Sequence, residues 1–264
     1  MKKLYFLIPA LFCSGLVLAQ LNEFAAGFQF SMPQGAMKNG WSTGYGLNMG
    51  YYRHLANVKG LSIGADFGYG TYAMDTQPQE YRFRDGTITN TEVNLSSSLG
   101  YAAMATRYEP LLSKMFSPFV ELQGGYFGMN SNLYIEDPTD PFGCRALENR
   151  TLVKSGTAFW SPGAGLKIQL SKCKLGDIHS IEIRARYIMG GELEYANMNR
   201  IYHHQDQNSN GQEEMAKGEK PLVVTFINVT TNELHEHSVA ELYKHPLRAL
   251  QFNLSYNLRF SKLF

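Results

Sequence analysis

The chain has 264 residues, and its 24 Lys and Arg against 23 Asp and Glu leave a formal net charge of only +1. That balance excludes a nucleic-acid binder, which needs a strongly basic face. A mean hydropathy of −0.26 and the lack of a helix-length apolar run beyond the amino terminus exclude a helical membrane protein, but not a membrane barrel, where only alternate residues touch lipid.

The amino terminus reads as a secretory leader. Lys2 and Lys3 precede an apolar stretch from Leu4 to Leu18, and Val17-Leu18-Ala19 supplies small residues for cleavage after Ala19. Loss of Lys2 and Lys3 turns the formal charge to −1. Residues 1–19 are therefore assigned to the leader and 20–264 to the folded protein. Cys144 and Cys173 remain after cleavage, and export would place them in an oxidising compartment.

Eight segments of the mature part alternate with a period of two, the pattern of half-buried strands. The first sets Phe24, Ala26, Phe28, Phe30 and Met32 on one face. The second opposes Tyr45, Leu47, Met49 and Tyr51 to Gly44, Gly46, Asn48 and Gly50. The third opposes Leu61, Ile63, Ala65, Phe67 and Tyr69 to Ser62, Gly64, Asp66, Gly68 and Gly70. In the fourth, Val93, Leu95, Leu99, Tyr101 and Ala103 share a face opposite Glu92, Asn94, Ser96, Ser98 and Gly100.

The fifth segment is short, with Val120, Leu122 and Tyr126 against Glu121 and Gln123. The sixth places Trp160, Ala164, Leu166, Ile168 and Leu170 opposite Ser161, Gly163, Gly165, Lys167 and Gln169, with Pro162 calling for a bulge near the rim. The seventh sets Ile181, Ile183, Ala185 and Tyr187 against Glu182, Arg184 and Arg186. The last runs from Leu250 to Phe260, with Gln251, Asn253, Ser255, Asn257 and Arg259 on its polar face.

Charge decides which face is outside. Asp66, Glu92, Glu121, Lys167, Glu182, Arg184, Arg186 and Arg259 all lie on the polar parity. A basic side chain facing mid-bilayer lipid costs about 2–4 kcal/mol, and eight charges there would exceed the roughly 5–15 kcal/mol that holds a domain together. The apolar parity is thus expected to face lipid, or the core of a soluble sandwich. Glycine-rich polar faces and an alternation of short and long connections favour the barrel. The expected fold is an all-β, eight-stranded antiparallel transmembrane β-barrel with long extracellular loops, with ten strands as an alternative.

The segments Phe28–Gly35 and Gly44–Tyr51, with an alternating last strand ending in Phe264, resemble the small outer-membrane β-barrel family. That family includes the OmpA-type transmembrane domain and barrels common in Bacteroidota. The resemblance implies an address in the cell outer membrane, lipid and the barrel-assembly machinery as partners, and Phe264 as the assembly signal. It also implies periplasmic termini and external loops near 32–41, 75–90, 135–152 and 190–247. Cys144 and Cys173 would then lie on opposite sides of an apolar belt about 25 Å tall, too far apart for a disulfide.

The balanced inward charges are expected to close into an ion-pair network that plugs the lumen, since a selective pore shows one dominant sign. The loop at about 190–247 is far longer than ordinary connections. Val223–Val229 and Leu234–Tyr243 read as a hairpin within it. Asp206, Asn208, Asn210, Gln212 and Glu214 follow the opening of a calcium loop, but Lys217 stands where the closing glutamate would be. His203, His204, His235, His237 and His245 also fall there without completing a metal pattern. His54 and His179 map to the periplasmic side, far from an outer rim where a general base would act. These residues point to a non-enzymatic barrel that presents external loops in a structural, adhesive or ligand-binding role, toward an unknown extracellular ligand. A narrow porin-like channel is the alternative, and a lipid-modifying or proteolytic enzyme comes third.

Overall fold

A computed structural model describes residues 19–56, 58–82, 88–111, 115–136, 146–172, 178–197, 220–227 and 234–260. They form nine strands: β1 (Ala19–Pro33), β2 (Gly44–Leu55), β3 (Leu61–Arg82), β4 (Ile88–Tyr108), β5 (Phe116–Glu136), β6 (Ala146–Lys172), β7 (Ile178–Asn197), β8 (Lys220–Ile227) and β9 (Leu234–Phe260). Each neighbour is antiparallel, in the order β1-β2-β3-β4-β5-β6-β7-β9-β8, and β1 also pairs β9 from Asn22↔Phe260 to Pro33↔Ala249. Eight strands therefore close into a barrel, and β8 is an addition above it. The ten-strand alternative is excluded, because the segment Leu234–Tyr243 is the start of β9 and β8 pairs only with that start.

All eight alternating segments lie inside barrel strands, yet the strands run well past them. β3 and β4 stay paired to Arg82↔Ile88, and β5 and β6 to Glu136↔Ala146. The expected loop at 75–90 is thus mostly paired backbone, and the one at 135–152 is paired backbone at its two ends. Continued pairing satisfies N–H and C=O groups that a loop would leave to water. The outward residues mark where the apolar wall ends. Ser98, Asn130 and Lys154 lie side by side in register, one step above the row Gly100–Gly128–Gly156. Below that row the outer face carries Phe28, Leu47, Phe67, Leu122, Trp160 and Leu254, all exposed. From Phe116 to Tyr126 this apolar face spans about 25 Å of height, given roughly 3.3 Å per residue and a tilt near 40°.

One strand departs from the expected facing. In β4 it is Leu95, Leu99, Tyr101 and Ala103 that are buried inside, while Ala102, Met104 and Tyr108 face out. Glu92 pairs with Pro78, at a position of opposite parity to Leu95 and Leu99. The reason is Arg107, which shares the parity of Leu99 and is fully buried. Turning the strand over would place that guanidinium in the apolar wall, at about 2–4 kcal/mol, merely to bring Ser98 and Gly100 inside.

Pro162 does not make a bulge. Trp160↔Met189 and Gly163↔Arg186 share one register, and the β6–β7 ladder simply lapses between them. Proline lacks the N–H that this rung needs, and its ring is exposed on the outer face.

Candidate functional site

The lower half of the lumen is a closed ionic network. Arg107 sits at its centre, donating to Glu182 at 2.8 and 3.0 Å, to Glu121 at 3.0 and 3.3 Å and to Glu23 at 3.3 Å. The rings of Tyr52 and Phe119 sandwich its guanidinium, each centroid 4.1 Å away, a placement that adds cation–π attraction. Glu23 also accepts from Lys167 at 2.6 Å and Arg259 at 2.8 Å, and both cations bind Glu109, at 3.0 and 2.9 Å.

A second centre is Asp66. It accepts from Tyr101 at 2.6 Å, Arg184 at 2.8 Å and Tyr52 at 2.9 Å. Arg186 stands 3.6 Å from the same carboxylate, lies over the Tyr101 ring, and donates to Gln251 and Gln123. Glu23, Asp66, Glu109, Glu121 and Glu182 are thus matched by Arg107, Lys167, Arg184, Arg186 and Arg259, all buried. Five negative charges meet five positive ones, which is what makes burial tolerable where single charges would be costly.

Seven of the eight lumen charges expected from sequence are in this network, and the side chain of the eighth, Glu92, lies outside what the structure describes. Four members were missed, namely Glu23, His54, Arg107 and Glu109. Glu23 lies just before its alternating segment on the inward parity, so extending that run would have found it. Arg107 lies past the end of its segment on the parity expected to face lipid, so it was legible only as a conflict with that facing. His54, one residue before the end of β2, meets Glu23 at 3.3 Å. His179 is likewise in a strand, beside the Tyr256 hydroxyl on the outer face of β7.

The upper half is apolar. Tyr72, Leu99, Phe127, Met129, Phe159 and Ile188 point inward, and Met37 and Trp41 from the β1–β2 connection fill the space among them. Gly35, at φ +61°, opens the short 3₁₀ turn Gly35–Asn39, and Trp41 N–H closes back on the Met37 carbonyl at 3.0 Å. Glycine takes that left-handed backbone without steric cost. Trp41 packs edge-on to Tyr72 at 5.9 Å, and Phe127 edge-on to Phe159 at 6.2 Å. The stretch at 32–41, expected to be an external loop, is therefore a cap turned into the barrel.

Among the described residues the recess at the end of the barrel where β1 begins, beside Glu109, Lys167 and Arg259, holds about 10 Å³, room for about one water. Glu23, His54 and Glu109 bring metal-ligating atoms within 4.8 Å of one another. The Lys167 ammonium and the Arg259 guanidinium already bind both carboxylates, so their charge is met without a metal. Above the belt, Tyr195, Tyr243 and His245 stack, and the Tyr195 hydroxyl meets His245 Nδ1 at 3.1 Å. That histidine thus contacts a phenol through Nδ1 rather than a serine or a carboxylate. Burial pushes the Tyr195 phenol above its ordinary pKa. The exposed Lys244–Glu192 pair, at 2.6 Å, lowers the glutamate's pKa through a hydrogen bond from Lys244 and its charge.

The calcium-like segment Asp206–Glu214, His203, His204, Cys144, Cys173 and Phe264 lie outside the described residues. The unpaired state of Cys144 and Cys173 and the calcium reading therefore remain expectations.

No protein-family model matches the chain, and no curated protein does. Solved structures with a related course of the chain include Neisserial surface protein A, at 8% identity and a TM-score of 0.37, covering 92% of this chain and 96% of that one. Another is the attachment invasion locus protein of Yersinia pestis, solved with the heparin analogue sucrose octasulfate. It has 11% identity, a TM-score of 0.37, and coverage of 91% and 98%. At that level of likeness neither carries weight for function, and the closed barrel rests on this chain's own strand pairing.

Proposed function

We propose that this is an outer-membrane barrel of the small eight-stranded kind, exported by its leader and inserted through the barrel-assembly machinery. Its task is to hold an extracellular β-platform for contact with a partner, and it is neither a pore nor an enzyme. The observation that carries this reading is the filled lumen. A neutral ionic network occupies the lower half and an aromatic core with an inturned cap the upper half, so the barrel wall is a support. An exposed apolar belt on the other face is the surface a bilayer would cover. The material beyond the belt is extensive, including the tops of β3–β7 and β9 and all of β8.

The reading is tested by fractionating cells and running the protein on semi-native gels before and after boiling. A compact form in the outer-membrane fraction that shifts on boiling is expected. A periplasmic, boiling-insensitive protein would overturn it. Discrete conductance steps in planar bilayers would instead favour the narrow channel.

A further inference from the structure

Arg53 departs from the apolar character of the outer wall. It follows Tyr45, Leu47, Met49 and Tyr51 on the outward parity of β2, two residues before the strand ends at Leu55. Lys154, Lys244 and Arg248 also face outward, but toward the far end of the barrel, Arg248 beside Gln34 beyond the end of β1. In the half of the outer wall where β1 begins, Arg53 is the one Lys, Arg, Asp or Glu among the side chains the structure describes. The carboxylates nearest that end, Glu23 and Glu109, belong to the lumen, where Lys167 and Arg259 bind both.

The surroundings of Arg53 suit an anion. Its Nε is buried without a hydrogen-bond partner, although the residue as a whole is only half-buried. In register beside it on β1 stands Asn22, also on the outer face and itself buried. The Tyr51 hydroxyl donates to Asn22 Oδ1 at 2.8 Å, which leaves the side-chain amide N–H groups of Asn22 to donate. A buried donor without an acceptor is costly. The planar fork of a guanidinium is met best by an anion that offers two oxygens, and phosphate does so. Toward the middle of the belt the same wall carries Phe24, Met49 and Phe67, all exposed, a surface that suits acyl chains.

We propose that Arg53 and Asn22 bind the phosphodiester of one membrane phospholipid, whose chains lie along Phe24, Met49 and Phe67. The inference rests on the membrane reading above, and it places the headgroup in the leaflet at the end where β1 begins. An arginine near a bilayer surface reaches the headgroups with its tip while its stem covers apolar wall, and the penalty for its charge falls toward the interface. A phosphate there supplies both the countercharge and the acceptor for the buried Nε. Lys154 and Arg248 are exposed, so water serves them and neither makes a comparable demand. A free phosphate ion would leave the apolar wall unused, which selects the lipid.

The full chain is purified in dodecyl maltoside, whose headgroup lacks phosphate, and lipid retained on the barrel is counted by native mass spectrometry. With phosphatidylglycerol added, the wild type is expected to retain a lipid that Arg53→Gln retains several-fold less. Arg53→Lys should fall between them, because an ammonium keeps the charge without the fork. Asn22→Leu should also weaken retention. Lys59→Gln, in the turn after β2, should leave it unchanged, as should excess inorganic phosphate. Diacylglycerol with the same chains should not be held. Equal retention by the wild type and Arg53→Gln, both with boiling-sensitive mobility, would overturn the inference and leave the membrane reading intact. So would an equal loss with Lys59→Gln, displacement by inorganic phosphate, or diacylglycerol held as firmly as the phospholipid. Absence of the boiling-sensitive form in the wild type would sink both.

Discussion

Arg107 shows how one side chain can organise a lumen. It contacts Glu23, Glu121 and Glu182 while wedged between Tyr52 and Phe119. Replacing it with Met keeps the apolar contacts but leaves three buried carboxylates short of a partner. Breaking a buried pair in this way costs about 3–5 kcal/mol, so urea unfolding of Arg107→Met in lipid vesicles should show a loss of that order. Arg107→Lys should recover little, since a single ammonium lacks the planar fork that reaches several carboxylates. A loss near zero for Arg107→Met would mean that Lys167 and Arg259 alone neutralise the site. At the exposed Glu192–Lys244 pair the expectation is modest. Glu192 has a lowered pKa and Lys244 a raised one, each through the other. The pair's contribution is therefore present at neutral pH, is lost as pH falls through the depressed glutamate pKa, and is lost again as pH rises through the raised lysine pKa. Lys244→Ala should return the Glu192 carboxyl titration, followed by its ¹³C shift, to the ordinary range near 4.3 without moving the unfolding midpoint measurably.

Strands β4 and β6 mark where alternation was and was not enough. Period-two patterning placed every barrel strand, because a closed sheet buries one parity and exposes the other along its whole length. It failed on the facing of β4, because both of that strand's faces meet apolar surroundings in the upper barrel. Inside lies the Trp41–Phe127–Phe159 core, and outside lies the belt, so leucine suits either side. Only Arg107, past the end of the visible alternation, breaks the tie. Residues brought in from loops were not legible either, since Met37 and Trp41 sit in a stretch that reads as an ordinary connection. The facing of β4 has a direct consequence. Leu99→Ala should cost about 2–5 kcal/mol, as truncation of a buried leucine does, whereas Ala102→Leu should be near neutral, as surface substitutions generally are. The opposite ranking in vesicle unfolding would restore the facing predicted from sequence. In β6, Pro162→Ala would return the missing donor, and amide exchange around Tyr187 and Ile188 should slow if the lapse in the ladder comes from proline alone.

At the scale of the whole molecule, two obstacles of different kind lie in series along the barrel axis. An ion entering from outside meets the cap and aromatic core first, where nothing replaces its hydration shell. One that passed would then meet Arg107, Arg184 and their carboxylates, whose charges already satisfy one another. Removing the cap alone should therefore not create a pore. The double variant Met37→Gly with Trp41→Gly is expected to lose stability, because a buried tryptophan alone is worth about 3–5 kcal/mol when truncated to alanine. Planar bilayers containing either the wild type or this variant should show no stable unitary steps. Steps from the capless variant alone would mean that the ionic layer rearranges readily enough to pass ions, and the cap would then be the gate of a channel. Silence from both, with the variant still folded by its mobility before boiling, fits a lumen whose lower network closes it independently, leaving the outer platform as the part free to act.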